Sequence, residues 1–161
     1  MRRTKKWLAP AALAALLVPA APPAASAQDA ADSQELRAAR GRTSYRLYCR
    51  NCHGKDGKGD GPIAELLKVQ PADLTALTEN AGGEFAAGQF PADSVYETID
   101  GRNDVRAHGS REMPVWGFSF QDPSRSEDQE DEVREQILDL VEYVRTLQPG
   151  SGGEETRNDE K

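Results

Sequence analysis

The chain has 161 residues, 37% hydrophobic and 29% charged, with a formal net charge of −7. That length suits one ordinary domain with tails, and no basic patch of the kind that binds nucleic acid is present. An apolar inventory this thin is often supplemented by a staple or a cofactor.

Met1 to Ala27 has the three parts of a secretory signal peptide. Arg2, Arg3, Lys5 and Lys6 form a basic start, Leu8 to Ala21 an apolar stretch, and Ala25-Ser26-Ala27 a small-residue cleavage site. The rival reading is a retained membrane anchor. Pro10 and Pro19 interrupt the apolar run, which falls short of the roughly 20 residues needed to span a bilayer. The expectation is cleavage before Gln28, export to the periplasm and no stable membrane span thereafter. The cleaved chain would keep 16 basic and 27 acidic groups, a formal −11. Such a surface favours solubility and steering towards cationic partners.

Residues 28–33 read as a polar leader, and residues 34–148 as the domain. From Gln34 the pattern is helical through Leu36, Ala38, Ala39, Tyr45, Leu47 and Tyr48, with Gly41 as the only breaker. A glycine inside a helix costs about 1 kcal/mol relative to alanine.

The next stretch, Cys49-Arg50-Asn51-Cys52-His53, has the spacing of a c-type haem attachment motif. On one helical turn the two thiols share a side, where they match the two vinyl groups along one haem edge. His53 follows directly, placed to turn its imidazole under the iron. Three other chemistries use parts of the same pattern. A thioredoxin-like pair sits beside a βαβ pattern, which this sequence lacks. Zinc would have Cys49, Cys52, His53 and His108 available, but adjacent Cys52 and His53 chelate one tetrahedral ion awkwardly. A disulfide suits an oxidising compartment, yet it would close a very short loop and leave His53 and Met113 unexplained.

Gly54 to Pro62 is a glycine-rich loop. Asp56, Lys58, Asp60 and Gly61 mimic the start of a calcium loop, but Lys58 stands at its third position and Leu67 at its twelfth, where a bidentate Glu belongs. Calcium is rejected. Pro62 opens a short helix, Ile63 to Leu67, as proline does at a first helical position. Gln70 to Thr75 is a turn, and the Gly- and Ala-rich stretch from Thr75 to Pro91 carries no legible chemistry. Asp93-Ser94 is placed to cap a helix from Val95 to Asp100, ended by Gly101.

After signal removal Met113 is the only methionine, sixty residues beyond His53 and directly before Pro114. A lone methionine is more often gap-filling core than ligand. His108, the only other histidine, is its competitor, although flanking Ala107 and Gly109 suit an exposed position better. Trp116 reads as packing. Arg102, Arg106 and Arg111 are candidates to pair with haem propionates. Six acids crowd Asp122 to Glu132, a solvated surface by default. From Glu130 to Leu147 the residues Val133, Ile137, Leu140, Val141, Val144 and Leu147 form one helical stripe. Pro149-Gly150 stops it, and residues 149–161 read as a disordered tail.

Taken together, Gly41-x3-Tyr45-x3-Cys49, Cys-Arg-Asn-Cys-His-Gly, Gly59-Asp60-Gly61-Pro62, Met113-Pro114, and Leu140 with Tyr143 resemble the class I c-type cytochromes of bacteria. The resemblance runs from Gly41 to Leu147. It implies an all-α cytochrome c fold, with helices and loops wrapped around one covalent haem c. Cys49 and Cys52 would attach the haem, and His53 and Met113 would bind its iron from opposite sides. The Pro62 carbonyl would accept a hydrogen bond from the other ring nitrogen of His53. Gly41 would let the first helix cross the last closely, with Tyr45, Leu140 and Tyr143 packed at the crossing. The implied function is single-electron transfer between redox partner proteins that dock transiently, with no catalytic residue. Sulfur ligation of ferric iron in this family gives a weak near-infrared band. The alternatives are a haem subunit of a dehydrogenase or oxidase complex, and a haem enzyme (a peroxidase or sulfur-compound oxidoreductase) with a labile Met113.

Overall fold

The structure is a computed structural model and describes residues 27–80, 88–103, 113–125 and 128–150. Residues 1–26, read as most of a signal peptide, residues 151–161, read as a disordered tail, and residues 81–87 of the Gly- and Ala-rich stretch lie outside the described residues.

Helix α5 (Glu130–Thr146) organises the rest. Glu130, Asp131 and Glu132 occupy its first turn, where the helix dipole favours negative charge. All six residues of the predicted stripe, Val133 to Leu147, are buried. The long helix α1 (Ala27–Tyr48) crosses α5, and Gly41 sets the distance. A Cβ at Gly41 would lie 1.9 Å from the Asp139 carbonyl oxygen and 2.9 Å from the Tyr143 Cβ. One turn on, Tyr45 is only 1% exposed, its ring centroid 5.0 Å from that of Tyr143. The crossing expected at Gly41 and Tyr45 is therefore present.

Beside this apolar contact lies an ion-pair ladder that the sequence pattern does not flag. Arg40 donates through Nε and Nη2 to the two oxygens of Asp139 at 2.6 and 2.9 Å. Arg37 reaches Asp139 at 3.4 Å and Glu135 at 2.6 Å. Asp139 is buried, so its charge requires such partners.

Helix α1 also begins earlier than the hydrophobic pattern predicts. Residues 28–33, read as a leader, form its first turns. They are exposed, so packing does not explain them. Alanines at 27, 30 and 31 are strong helix formers, and Asp29 suits the first turn of the helix.

Four short elements complete the chain. Helix α2 (Arg50–His53) follows α1 after a break at Cys49, and a 3-10 turn spans Ala64–Leu66. Helix α3 (Ala92–Asp100) starts three residues before the predicted Val95. Pro91 is its N-cap, and Asp93 falls in the first turn instead of capping it. Gly101 ends α3 at φ 65°, a conformation glycine adopts without penalty. Helix α4 (Trp116–Ser119) leads towards α5.

The described residues contain helices and turns and no strand, so the fold class is all-α. The core gathers Tyr45, Cys49, Ile99, Val133, Ile137, Leu140 and Val141, with Leu74, Phe90, Met113 and Trp116 among those packed against it. Among the described residues no helix is long and apolar enough to cross a membrane.

Candidate functional site

The motif sits where α1 gives way to α2. The Cys49 N–H still donates to the Tyr45 carbonyl at 2.9 Å, while the N–H groups of Cys52 and His53 donate to the Cys49 carbonyl at 3.1 and 2.9 Å. These bonds wind Cys49, Cys52 and His53 into a single turn. Cys49 is buried within the core, whereas Cys52 and His53 are half-buried at its rim. Both thiols are free. Burial, with the neighbouring Cys52 thiol second, pushes the Cys49 pKa up to about 12. That thiol is therefore neutral.

The Gly54–Gly61 loop folds back beneath this turn. Gly59 N–H donates to the His53 carbonyl at 2.8 Å, and Gly61 N–H to the Cys52 carbonyl at 3.1 Å. The buried Tyr45 hydroxyl donates to the Gly54 carbonyl at 2.8 Å, so the α1–α5 crossing and the loop share one anchor. A strap from Gln70 to Leu74 lies over the loop. Leu74 N–H donates to the Gly57 carbonyl at 2.7 Å, and Gln70 Nε2 donates to the Gly59 carbonyl. The turn is locked by Asp73 Oδ1, which accepts from Thr75 N–H at 2.8 Å and Thr75 Oγ1 at 2.6 Å. The Thr75 hydroxyl and amide together hold the Asp73 carboxyl below the ordinary carboxylate range.

The strap presents the Ala72 carbonyl to His53 Nδ1 at 3.1 Å. A carbonyl only accepts, so Nδ1 carries the hydrogen and Nε2 keeps the lone pair. Burial lowers the His53 pKa, although the Ala72 bond works the other way. The ring is thus a neutral imidazole with one nitrogen free to bind a metal. The resemblance implies the Pro62 carbonyl as this acceptor; in the structure it is the carbonyl of Ala72, ten residues later in the chain. Pro62 is exposed at the outer end of the loop, while the Leu74–Gly57 bond draws the strap across the ring.

Met113 is half-buried and packs against the core that contains Cys49. Trp116 stacks on Phe120 with centroids 5.2 Å apart, and both contact Tyr48 in the last turn of α1, at 5.5 and 5.3 Å. This aromatic trio forms a wall next to Cys49 in the chain. Arg102, a candidate for propionates, has its guanidinium held by Asp100 and Glu130. His108, Arg106 and Arg111 lie outside the described residues.

The donor set can be tested against the chemistry proposed for it. Zinc-thiolate binding needs deprotonated thiols, which burial opposes at Cys49. Among the described residues no three His, Cys, Asp or Glu side chains gather to hold a metal ion. Two free thiols on one turn, and an imidazole fixed with Nε2 free, would suit thioether attachment to a cofactor and one nitrogen ligand to its metal.

Two site-building groups escape sequence reasoning. One is the Ala72 carbonyl, a backbone atom with no side-chain signature. The other is Gln148, buried just beyond α5. Its Nε2 donates to the carbonyls of Leu74 and Val144 at 2.6 and 3.0 Å, and its Oε1 accepts from Thr78 N–H at 3.0 Å. It ties the strap to the end of α5. Comparison of the chain with protein-family models, curated proteins and solved structures finds no match.

Proposed function

We propose that the chain is an exported mono-haem c-type cytochrome that carries single electrons between redox partners. The observation that carries this reading is the turn Cys49–His53. It joins two free thiols to an imidazole whose Nδ1 is committed to the Ala72 carbonyl. Hydrogen bonding at the far nitrogen orients a histidine ligand and raises its basicity.

When bound, the haem iron supplies a centre that gains and loses one electron. The chain's own residues do the rest. Cys49 and Cys52 would hold one edge of the group, the inner thiol from the core and the outer one from the rim. His53 Nε2 would be one ligand to the iron. Met113, packed against the same core, would supply a soft thioether as the second, and His/Met ligation raises the potential. With both ligands supplied by the chain, substrate would have no site at the metal, which favours a carrier over a peroxidase or an oxidoreductase. Docking of the partner is brief, over less than about 1,200 Å² of surface. Arg50, Lys55, Lys58 and Lys68 are exposed around the motif, so that face is less anionic than the chain as a whole.

The test is mass spectrometry and an optical spectrum of the protein exported by cells that attach haem. One covalent haem on a chain beginning at Gln28, with a reduced spectrum of c type, is expected. Cys52→Ala leaves little stable holoprotein. A haem-free protein that binds zinc through Cys49 and Cys52 overturns the proposal.

A further inference from the structure

In sequence Met113 lies between α3 and α4, and those two helices meet in space. A Cβ at Gly101, the end of α3, would touch Val115 at 3.4 Å. Gly117 approaches closer still. A Cβ there would fall 1.9 Å from Asp100 Oδ1 and 2.4 Å from Arg102 Nε. No side chain fits, because α4 rests directly on that ion pair.

The pair is built for rigidity. Asp100 is 4% exposed, and a buried carboxylate without a partner is expensive. Arg102 Nε donates to Asp100 Oδ1 at 2.7 Å. Arg102 Nη1 donates to both oxygens of Glu130 at 2.6 and 2.7 Å, and Glu130 is the first residue of α5. One guanidinium therefore joins the end of α3, the floor of α4 and the start of α5. Met113 precedes α4 by three residues and packs against the core to which Ile99 of α3 and Val133 of α5 belong. A planar fork with fixed donors holds such a junction, and a lysine point charge does not reproduce it.

We propose that Asp100, Arg102 and Glu130, with Gly117 seated on them, are the positioning device that keeps the Met113 thioether at its station. This rests on Met113 being the distal ligand. Arg102 acts through the backbone of residues 115–117 and touches no reacting atom. Loosening the cluster raises the fraction of molecules with Met113 displaced. External ligands bind only that fraction, so their apparent affinity rises in proportion.

The experiment compares oxidised holoprotein of the wild type, Arg102→Gln, Arg102→Lys, Gly117→Ala and a control, Arg40→Gln. The control breaks an equally close pair, to Asp139 at 2.6 Å, at the α1–α5 crossing. Cyanide affinity, the near-infrared sulfur band and the urea midpoint are measured on each. Amide exchange at Phe118 and Ser119, whose N–H groups bond the Val115 carbonyl, reports on α4 without reference to the iron. Arg102→Gln and Gly117→Ala should bind cyanide about ten-fold more tightly, weaken the band and speed exchange at both amides. Arg102→Lys should be intermediate, and it decides the matter if Arg102→Gln yields no holoprotein. Arg40→Gln should lower the urea midpoint and leave cyanide affinity unchanged. Wild-type affinity in Arg102→Lys and Gly117→Ala overturns the proposal, as does an equal rise in Arg40→Gln. A wild type that carries haem but lacks the sulfur band refutes the Met113 assignment itself, and the positioning role falls with it.

Discussion

Replacing Gly41 by alanine tests the helix crossing most directly. Considered alone, α1 should welcome the change, since alanine is favoured over glycine by about 1 kcal/mol in a helix interior. The crossing reverses the sign. The new Cβ lies 1.9 Å from the Asp139 carbonyl oxygen, about 1.5 Å short of ordinary contact, and the obstructing atoms are mostly backbone of α5. Backbone cannot rotate aside, so the helices must part. A gap of about 0.5–1 Å already forfeits a quarter to a half of each dispersion contact, and the core around Tyr45, Ile137 and Leu140 lies along this seam. Overpacking typically costs about 1–3 kcal/mol; with rigid backbone as the obstacle, the upper end applies, and a net loss of about 2 kcal/mol remains. For a domain of this size that lowers the melting temperature by about 10 °C. Urea and thermal unfolding followed by far-ultraviolet circular dichroism measure it. A midpoint unchanged or raised in Gly41→Ala would refute the reasoning.

Two further expectations follow from the site. Gln148→Ala leaves the Leu74 carbonyl and the Thr78 amide without their partner, and should cost about 2 kcal/mol; a loss below about 0.5 kcal/mol in urea unfolding would show that solvent replaces those bonds. His53 has a folded pKa depressed below 6.5, so the unfolded ring takes a proton that the folded ring resists. Its contribution to stability is therefore full above 6.5 and declines as pH falls through that value, by at most about 1.4 kcal/mol per pH unit. Metal-bound imidazole also resists protons, so the sign is the same in loaded protein. Urea midpoints measured from about pH 7.5 down to about pH 5.5 should fall, and a rise would reverse the assignment.

The parts legible in the sequence were those with a period or a spacing. The α5 stripe predicted six buried residues because a 3.6-residue repeat leaves few alternatives, and the resemblance to class I c-type cytochromes implied the crossing at Gly41 and Tyr45. The Cys49–His53 turn was read correctly as a turn because helical geometry dictates it. What escaped has no period. The start of α1 depends on alanine propensity in exposed turns, and the start of α3 on where Pro91 sits. Asp139 looks like any surface acid of α5 until Arg37 and Arg40 arrive from α1. Pro62 was the expected acceptor for His53 because the resemblance to class I c-type cytochromes implies it. Ala72 carries no such signal, and the bond it makes follows from how the strap crosses the loop.

The position of Cys49 also governs when the molecule can be assembled. The thiol lies inside the packed core and stays protonated to about pH 12, and a protonated, enclosed sulfur is a poor nucleophile. On the proposed function, the inner bond to the cofactor must form while the chain is still open. Folding then seals it. A chain that closed too early would miss that opportunity. A chain that closes on time has no route by which to trade one cofactor for another. Protein and cofactor would then share a single lifetime, and the cell would renew the pair by synthesis, never by exchange.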